Sequence, residues 1–268
     1  MLCIFHGILH YLIFTNIPDV MMSYILLILA NMRVLIFGSS GPSGIALVRK
    51  TLEVYPSSTI FLYVRSPQKI PEDLAQHPSI FVIRGQITDL GEVETALLGG
   101  PQTTTDRKDS QPVDVVLSAL GPTGPFHPSD RPFAKFYTSL TSLMSKHSVK
   151  RLIVLCTASY SDPHDKFNPI TYGLVTFVRT FAYRAFADFR AVGEVVRANG
   201  DKNGLEWTVV RIPVLTNDES EEVVEGYIGD GKTGNMLSRK AFAAFCIGEI
   251  EKREWVGKAP FISSVSIL

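Results

Sequence analysis

Short runs of apolar, often β-branched residues alternate with longer segments of helical periodicity from residue 33 onward. Such alternation is typical of βαβ units, and it predicts a parallel sheet with helices on both faces. The runs are apolar along almost their whole length, as strands covered on both faces must be. The predicted strands are residues 33–37, 59–64, 80–84, 113–118, 151–156 and 207–212. The predicted helices are residues 43–54, 90–98, 131–147, 171–199 and 238–252.

The first 31 residues differ from the rest of the chain. They hold one charged side chain, Asp19, and neither of their apolar runs reaches the roughly 18 residues that a membrane span needs. They also lack the basic start of a secretory signal. Because Met32 stands directly before the first predicted strand, we interpret residues 1–31 as a hydrophobic extension from an upstream start, with a membrane anchor as the alternative. We expect residues 32–268 to form a single domain.

Two polar segments interrupt the alternating pattern. Residues 99–112 are rich in turn-forming residues and predict an exposed loop before the fourth strand. Residues 217–235 are rich in Gly, Asp and Glu. We expect this second segment to belong to a small C-terminal region that covers the substrate.

Composition limits the classes of function. The chain has 268 residues, of which 46% are hydrophobic and 19% are charged, so it can form a large core. Its 26 Lys and Arg balance its 26 Asp and Glu, which argues against nucleic acid or an anionic membrane as a partner. The three cysteines form no CxxC pair and favour a reducing, cytoplasmic location. His127, His147 and His164 are well separated, and no pair of them has metal-ligand spacing, so we expect no metal and a small-molecule partner.

A glycine-rich turn, GSSGPSG at residues 38–44, joins the first predicted strand to the first predicted helix. Glycines at such a turn let the backbone approach a diphosphate, and the N–H groups of the helix start then bind its oxygens. Together with the alternating pattern, the turn predicts a Rossmann-type, doubly wound α/β fold that binds a dinucleotide. The predicted cofactor-binding residues of the turn are Gly38, Ser40, Gly41, Pro42, Ser43 and Gly44.

The end of the second predicted strand indicates which dinucleotide is bound. NAD sites place a carboxylate here for the ribose 2′-hydroxyl, whereas this chain has Arg65, Ser66 and Lys69. A guanidinium matches the geometry of a 2′-phosphate, so the sequence favours NADPH over NADH. A solvated basic turn is the alternative, and it is more serious for Lys69 than for Arg65.

The carboxyl ends of the later strands supply further candidates, because ligands bind at that edge of a parallel sheet. Small residues after the fourth strand and a proline-led turn after the sixth are predicted to contact the cofactor. These residues are Ser118, Ala119, Leu120, Gly121, Pro213 and Leu215. The fifth strand ends in Thr157, Ser159 and Tyr160, which we predict to be catalytic as proton donors or orienting hydroxyls. The alternative is that these hydroxyls cap the next segment.

Four motifs together carry a family resemblance: RVLIFGSSGPSG, VRSPQK, LSALGP and RIPVLT. They resemble atypical short-chain dehydrogenases/reductases of the NAD(P)H-binding NmrA-like and biliverdin reductase B group. From Met32 onward the chain is most similar to fungal oxidoreductases of the averufin-oxidase type, which belong to clusters that make aromatic polyketides. The resemblance implies an NADPH-dependent oxidoreductase that acts on a planar, conjugated substrate in a tailoring step of secondary metabolism.

The chain departs from that family at the catalytic pair. Typical members use Tyr-x-x-x-Lys, but here Tyr172 is followed by Thr176 and Tyr183 by Ala187. Arg190 is a fixed cation that does not shuttle protons. Either the proton comes from Ser159, Tyr160 or water, or the protein does not reduce carbonyls by the usual route. The alternative is a redox sensor of the NmrA-like type that binds NADP(H) without turnover.

Overall fold

The computed structural model describes residues 31–100, 111–122 and 126–265. The N-terminal extension and most of the polar loop predicted at 99–112 lie outside the described residues. None of the described helices has both the length and the apolar character needed to cross a membrane.

Ten strands and seven helices make up the described part of the chain. The strands are β1 Arg33–Phe37, β2 Thr59–Val64, β3 Ile80–Arg84, β4 Val115–Ser118, β5 Arg151–Thr157, β6 Glu206–Ile212, β7 Val214–Thr216, β8 Val223–Gly226, β9 Met236–Ser238 and β10 Phe261–Ser264. The helices are α1 Pro42–Val54, α2 Glu72–Ala75, α3 Leu90–Leu97, α4 Pro132–Lys146, α5 Pro169–Phe181, α6 Tyr183–Asn203 and α7 Arg239–Lys252. A short 3₁₀ turn, Pro67–Lys69, follows β2.

Eight of these strands form one sheet in the order β3-β2-β1-β4-β5-β6-β10-β8. All neighbours in this sheet are parallel except β8, which runs antiparallel to β10 at the edge. The chain first builds outward from β1 through β2 to β3, and then restarts on the other side of β1 with β4. This reversal is the topological switch point of a doubly wound α/β fold, and ligands bind at the carboxyl ends of the strands there. The predicted fold class is confirmed.

Burial explains why the strands could be recognised. Residues 34–37 of β1 have no exposed surface, and β4 and β5 are similarly covered. A strand covered on both faces carries apolar side chains at successive positions, which is the pattern that the sequence shows.

The buried guanidinium of Arg211 in β6 ties the sheet to the loops above it. Its two terminal nitrogens lie 2.6 and 2.9 Å from the carboxylate oxygens of Asp165. Asp165 also accepts a hydrogen bond from the backbone N–H of Ile228 at 3.1 Å. Arg211 donates to the backbone carbonyls of Ala259 and Tyr160 as well. One ion pair therefore holds both the loop after β5 and the loop after β8.

The prediction of one continuous helix at 171–199 is wrong, because the structure has two helices there. α5 and α6 meet at Ala182, whose φ of −135° and ψ of 46° leave the helical region. The helix α5 buries Thr171 alone, whereas α6 buries eight residues. The break lets α5 border a cavity while α6 packs on the sheet.

The segment 217–235 contains a strand that was not predicted, and its role as a cover over the substrate stays a prediction. Its middle forms β8, which extends the sheet by pairing with β10, and neither strand was among those predicted. Strands of three or four residues are too short to show a periodic pattern. Of this segment, Asn235 lines a cavity.

Candidate functional site

Two cavities of about 650 Å³ each lie side by side where the strands of the sheet end. The first, which we call the crevice, is lined by the turns that follow β1, β2, β3 and β4. The second, which we call the apolar cavity, is lined by the ends of β5 and β6 and by α5 and α6. Pro122, just after β4, lines both. The two cavities therefore adjoin at the switch point.

The crevice gathers most of the residues predicted to bind the cofactor. Those that line it are Gly38, Ser40, Gly41, Pro42, Arg65, Ser66, Lys69, Ala119, Leu120 and Gly121. They come from three separate turns, which the parallel order of β2, β1 and β4 brings to one edge. Their role in cofactor binding stays a prediction.

The glycines of the first turn have different tasks. Gly38 adopts φ +74°, and a Cβ there would lie 2.7 Å from the backbone of Ala119. A Cβ on Gly44 would lie 2.2 Å from the carbonyl oxygen of Gly38, so α1 packs directly on the turn. Gly41 is open, since its Cβ would meet only the Gly38 oxygen, at 3.6 Å. Gly41 lines the crevice, and a Cβ there would fill space that a diphosphate needs for backbone contact.

The start of α1 is suited to an anion. The helix begins at Pro42, has no side-chain cap and carries no acidic residue in its first turn. The N–H groups of a first turn have no partner within the helix, and they carry a partial positive charge. Together with the open backbone at Gly41, this end of α1 fits the diphosphate of a dinucleotide.

The cations beyond β2 are also available to a ligand. Arg65 and Lys69 are exposed and line the crevice. Neither forms an ion pair with another residue in the described part of the chain. Their charges can therefore bind a 2′-phosphate without first breaking an internal contact.

Four predicted cofactor contacts lie away from the crevice wall: Ser43, Gly44, Ser118 and Leu215. The Ser118 hydroxyl is buried 2.7 Å from the Tyr137 hydroxyl, and its oxygen accepts from the N–H of Leu120 at 3.4 Å. Ser118 therefore stabilises the turn after β4 from its buried side. Pro213 does not line the crevice either; it lines the apolar cavity. A proline after a strand predicts where the strand ends. It does not predict which of two adjoining cavities that strand end will line.

The apolar cavity is walled by aromatic and aliphatic side chains. α5 contributes Leu174, Val175 and Phe177, and α6 contributes Phe186 and Phe189. Hydroxyl groups enter from Thr157, Ser159 and Thr171, and Thr171 donates to the side chain of Asn235 at 3.2 Å. Among the described residues that line this cavity, none has an ionisable side chain.

The predicted hydroxyl cluster is only partly assembled. Thr157 and Ser159 line the apolar cavity, and the Thr157 hydroxyl accepts from the backbone N–H of Ser159 at 3.2 Å. Tyr160 does not line it, because its buried ring lies where a Cβ on Gly193 would fall, 2.2 Å away. The position of Tyr160 therefore gives no support to its predicted role as a proton donor. The hydroxyl of Ser159 forms no hydrogen bond to any described residue.

Cys156 is a residue of the hydrophobic core. Burial raises the pKa of its thiol to about 12, and the sulfur lies 3.3 Å from the carbonyl oxygen of Phe189. A thiol that stays protonated at neutral pH is not a nucleophile.

Sequence reasoning missed part of the crevice wall. The turn at 85–88 after β3 and the segment 126–128 before α4 also line it. The second segment brings in His127, whose ring contacts the buried carboxylate of Asp188. These two residues are 61 positions apart, so no local motif could reveal the pair.

A doubly wound α/β fold with an uncapped glycine turn at its switch point is typical of dinucleotide-binding proteins. Residues 38–253 match a family model described as NAD(P)H-binding, and the chain belongs to this family. No curated protein matches the sequence.

Solved structures share the fold at low sequence identity. A short-chain dehydrogenase/reductase from Veillonella parvula in complex with NADP has a TM-score of 0.65 and 18% identity, over 87% of this chain and 94% of that one. An oxidoreductase from Lactococcus lactis has a TM-score of 0.64 and 16% identity, over 87% and 91%. A provisionally named NADH-flavin reductase from Streptococcus pneumoniae has a TM-score of 0.62 and 17% identity, over 87% and 99%.

Proposed function

We propose that the protein is an NADPH-dependent oxidoreductase, an atypical short-chain dehydrogenase/reductase, that acts on a planar, conjugated substrate. The observation that carries the proposal is that the crevice and the apolar cavity adjoin at Pro122. One cavity has the glycine turn and free cations that suit a phosphorylated dinucleotide, and the other is apolar and aromatic. A nicotinamide dinucleotide supplies a hydride when it is bound.

The chain's own residues supply binding, orientation and exclusion of water. The backbone at Gly41 and the first turn of α1 hold the diphosphate, while Arg65 and Lys69 bind the 2′-phosphate. The side chains of α5 and α6 exclude water from the reacting atoms and orient a flat substrate against aromatic rings. The hydroxyl of Ser159 donates a hydrogen bond to a substrate oxygen.

The described wall of the apolar cavity has no acidic side chain, and this narrows the class of substrate. Reduction of a simple ketone builds full negative charge on one oxygen, and a positioned general acid is needed to protonate that oxygen as the charge develops. The described wall of the apolar cavity offers hydroxyl and amide groups alone for this purpose. A quinone or an enone spreads the negative charge over its conjugated system, so a hydroxyl or water suffices. We therefore favour conjugated acceptors over isolated carbonyls.

The resemblance to fungal averufin-oxidase-type proteins supports a tailoring step in aromatic polyketide biosynthesis as the setting. The aromatic wall formed by Phe177, Phe181, Phe186 and Phe189 suits a fused-ring substrate. The balanced charge of the chain supports a small-molecule partner, and its three cysteines without a CxxC pair support a cytoplasmic location.

An NADP(H)-binding redox sensor of the NmrA-like type is the second candidate. One observation favours it. Tyr172, the only tyrosine of α5, is 64% exposed and lies outside the wall of the apolar cavity, so α5 places no tyrosine where it could protonate a substrate. A sensor binds the reduced cofactor without oxidising it.

An assay of NADPH consumption separates the two functions. The purified protein is incubated with NADPH and a panel of quinones, flavins and anthraquinones, and absorbance at the nicotinamide band is followed. The oxidoreductase proposal expects oxidation with at least one conjugated acceptor and none with simple ketones. Tight NADPH binding without oxidation by any member of the panel would favour the sensor.

The cofactor preference is tested through Arg65. We expect Arg65→Ala to weaken NADPH binding about 10- to 100-fold, because charge-assisted hydrogen bonds contribute about 1.5–3 kcal/mol each. Binding of NADH should not change, because it lacks the 2′-phosphate. Fluorescence titration of both cofactors measures the effect.

Lys150→Ala is the matched control for Arg65→Ala. Lys150 is an exposed cation just before β5, at the amino end of the strands. Its removal should leave both dissociation constants unchanged. If Arg65→Ala binds NADPH as tightly as the wild type does, the assignment of the 2′-phosphate site is wrong.

A further inference from the structure

A buried histidine in the crevice wall is not used by the proposed function. The side chain of His127 is 5% exposed and lines the crevice. Its Nε2 atom lies 2.7 Å from Oδ2 of Asp188, whose side chain is 1% exposed. The imidazole also packs at a tilt of 32° against the ring of Phe133, with centroids 5.1 Å apart. The ring is therefore held from two sides.

Asp188 fixes which ring nitrogen carries hydrogen. Its carboxylate accepts from the backbone N–H of Phe133 at 3.1 Å and from that of Ala134 at 2.9 Å, in the first turn of α4. A carboxylate only accepts, so the Nε2 atom of His127 must be the donor in the third contact. Nδ1 then remains as the free position of the ring, and no described residue forms a hydrogen bond to it.

The location of the pair indicates which part of the cofactor it meets. Asp188 precedes Phe189, which lines the apolar cavity and lies 3.6 Å from where a Cβ on Gly121 would be. Arg65 directly follows β2, which lies on the opposite side of β1 from β4 in the sheet order. His127 therefore borders the end of the crevice that adjoins the apolar cavity, away from the site suited to the 2′-phosphate.

We propose that His127 forms a hydrogen bond through Nδ1 to the nicotinamide-side half of NADP(H), with Asp188 as the positioning residue. The partner is a hydroxyl of the ribose on that side of the diphosphate, which donates to Nδ1, because an imidazole that donates from Nε2 accepts at Nδ1. The inference rests on the proposed binding of NADP(H) in the crevice. It adds a buried side-chain contact to the backbone contacts and the two exposed cations of the proposed cofactor site.

Two substitutions separate the nitrogens of His127. His127→Gln places an amide N–H where Nε2 lies, which keeps the bond to Asp188 and removes the group at Nδ1. His127→Asn keeps a polar atom near Nδ1 and loses the bond to Asp188. We expect His127→Gln to weaken NADPH binding about tenfold, the effect of one hydrogen bond, and His127→Asn to weaken it less. Thermal unfolding of both variants checks that the fold is retained.

Cofactor fragments locate the contact. His127→Gln should weaken 2′-phospho-ADP-ribose about as much as NADPH, and it should leave 2′,5′-ADP unchanged, because that fragment has no nicotinamide-side atoms. Binding of 2′-phospho-ADP should also be unchanged, since it carries the second phosphate but not the second ribose. Unchanged affinity for NADPH, or equal weakening of 2′,5′-ADP, overturns the proposal.

The role of Asp188 is tested by non-additivity. Asp188→Asn should weaken NADPH binding several-fold in the wild type and add no further loss in the His127→Gln variant, because both changes remove one contact. Equal losses in both backgrounds would show that Asp188 acts on the fold alone. All of these assays measure binding, so wild-type affinity in His127→Gln overturns the assignment of His127 and leaves the oxidoreductase proposal to its own test of turnover.

Discussion

The crevice and the apolar cavity adjoin at one edge of the sheet, but different parts of the chain line them: mainly backbone in the crevice and side chains in the apolar cavity. Backbone turns form much of the crevice, and the conformation of each turn is set within a few residues, as at Gly38 with its φ of +74°. Side chains from α5, α6 and the strand ends form the apolar cavity. A site made of backbone stays constant while its side chains vary, whereas a site made of side chains changes with each substitution. This division suits a constant cofactor and a variable substrate.

The two regions also differ in how they are held together. Close packing holds the crevice, because α1 lies on the first turn with no room for a Cβ at Gly44. Near the apolar cavity, the loops after β5 and β8 are held by the buried ion pair between Arg211 and Asp165. The substitutions that follow test these two means of support.

The largest effect is expected at the ion pair. Asp165→Ala leaves the guanidinium of Arg211 buried without its partner, and breaking a buried pair in this way costs about 3–5 kcal/mol of unfolding free energy. Urea unfolding measures the loss.

The exposed pair between Arg49 and Asp73 provides the control for this measurement. Both side chains are more than half exposed, so Asp73→Ala should shift the urea midpoint little. If Asp165→Ala is as mild as Asp73→Ala, the loops near the apolar cavity do not depend on the ion pair.

A smaller effect is expected at the glycine turn. Gly44→Ala places a Cβ 2.2 Å from the carbonyl oxygen of Gly38, so α1 must shift. Overpacking of this kind costs about 1–3 kcal/mol, and the displaced turn should also bind NADPH more weakly. Urea unfolding and cofactor titration on the same samples measure both quantities.

Two other glycines sharpen this prediction. Gly41→Ala should leave stability unchanged, because its Cβ would meet no atom closer than 3.6 Å, and it should weaken NADPH binding, because Gly41 lines the crevice. Gly173→Ala in α5 meets nothing within 4 Å, and it should raise stability by about 0.5–1 kcal/mol through helix propensity. If Gly44→Ala unfolds like the wild type, α1 is not packed on the turn as the structure shows.

The same division explains what could be predicted from the sequence. The glycine turn lies between a buried strand and a helix that are contiguous in the chain, so the residues around Gly38 and Gly41 could be placed before the structure was known. Arg65 could be placed for the same reason, as the residue directly after β2. Each of these predictions needed only local order and the rule that parallel strands end at one edge.

The apolar cavity and the histidine pair could not be predicted in this way. The break at Ala182 depends on what α5 and α6 pack against, and a continuous helical pattern does not show it. Tyr160 looked like a member of the hydroxyl cluster, but the ring fills the space above Gly193 instead. His127 and Asp188 meet only because α4 and α6 pack together. Such contacts depend on tertiary packing between elements that are far apart in sequence.

The smallest effect on stability is expected at the rim of the apolar cavity. Phe177 is 60% exposed, so Phe177→Ala removes little buried area and should cost about 1 kcal/mol or less. It should still raise KM for an aromatic acceptor several-fold, because the ring forms part of the wall, and it should leave NADPH binding unchanged. Leu90→Ala in α3, a partly exposed residue outside both cavities, should change neither quantity. A Phe177→Ala variant that loses NADPH affinity would show that the two regions are not separable, since the cofactor would then depend on the substrate wall.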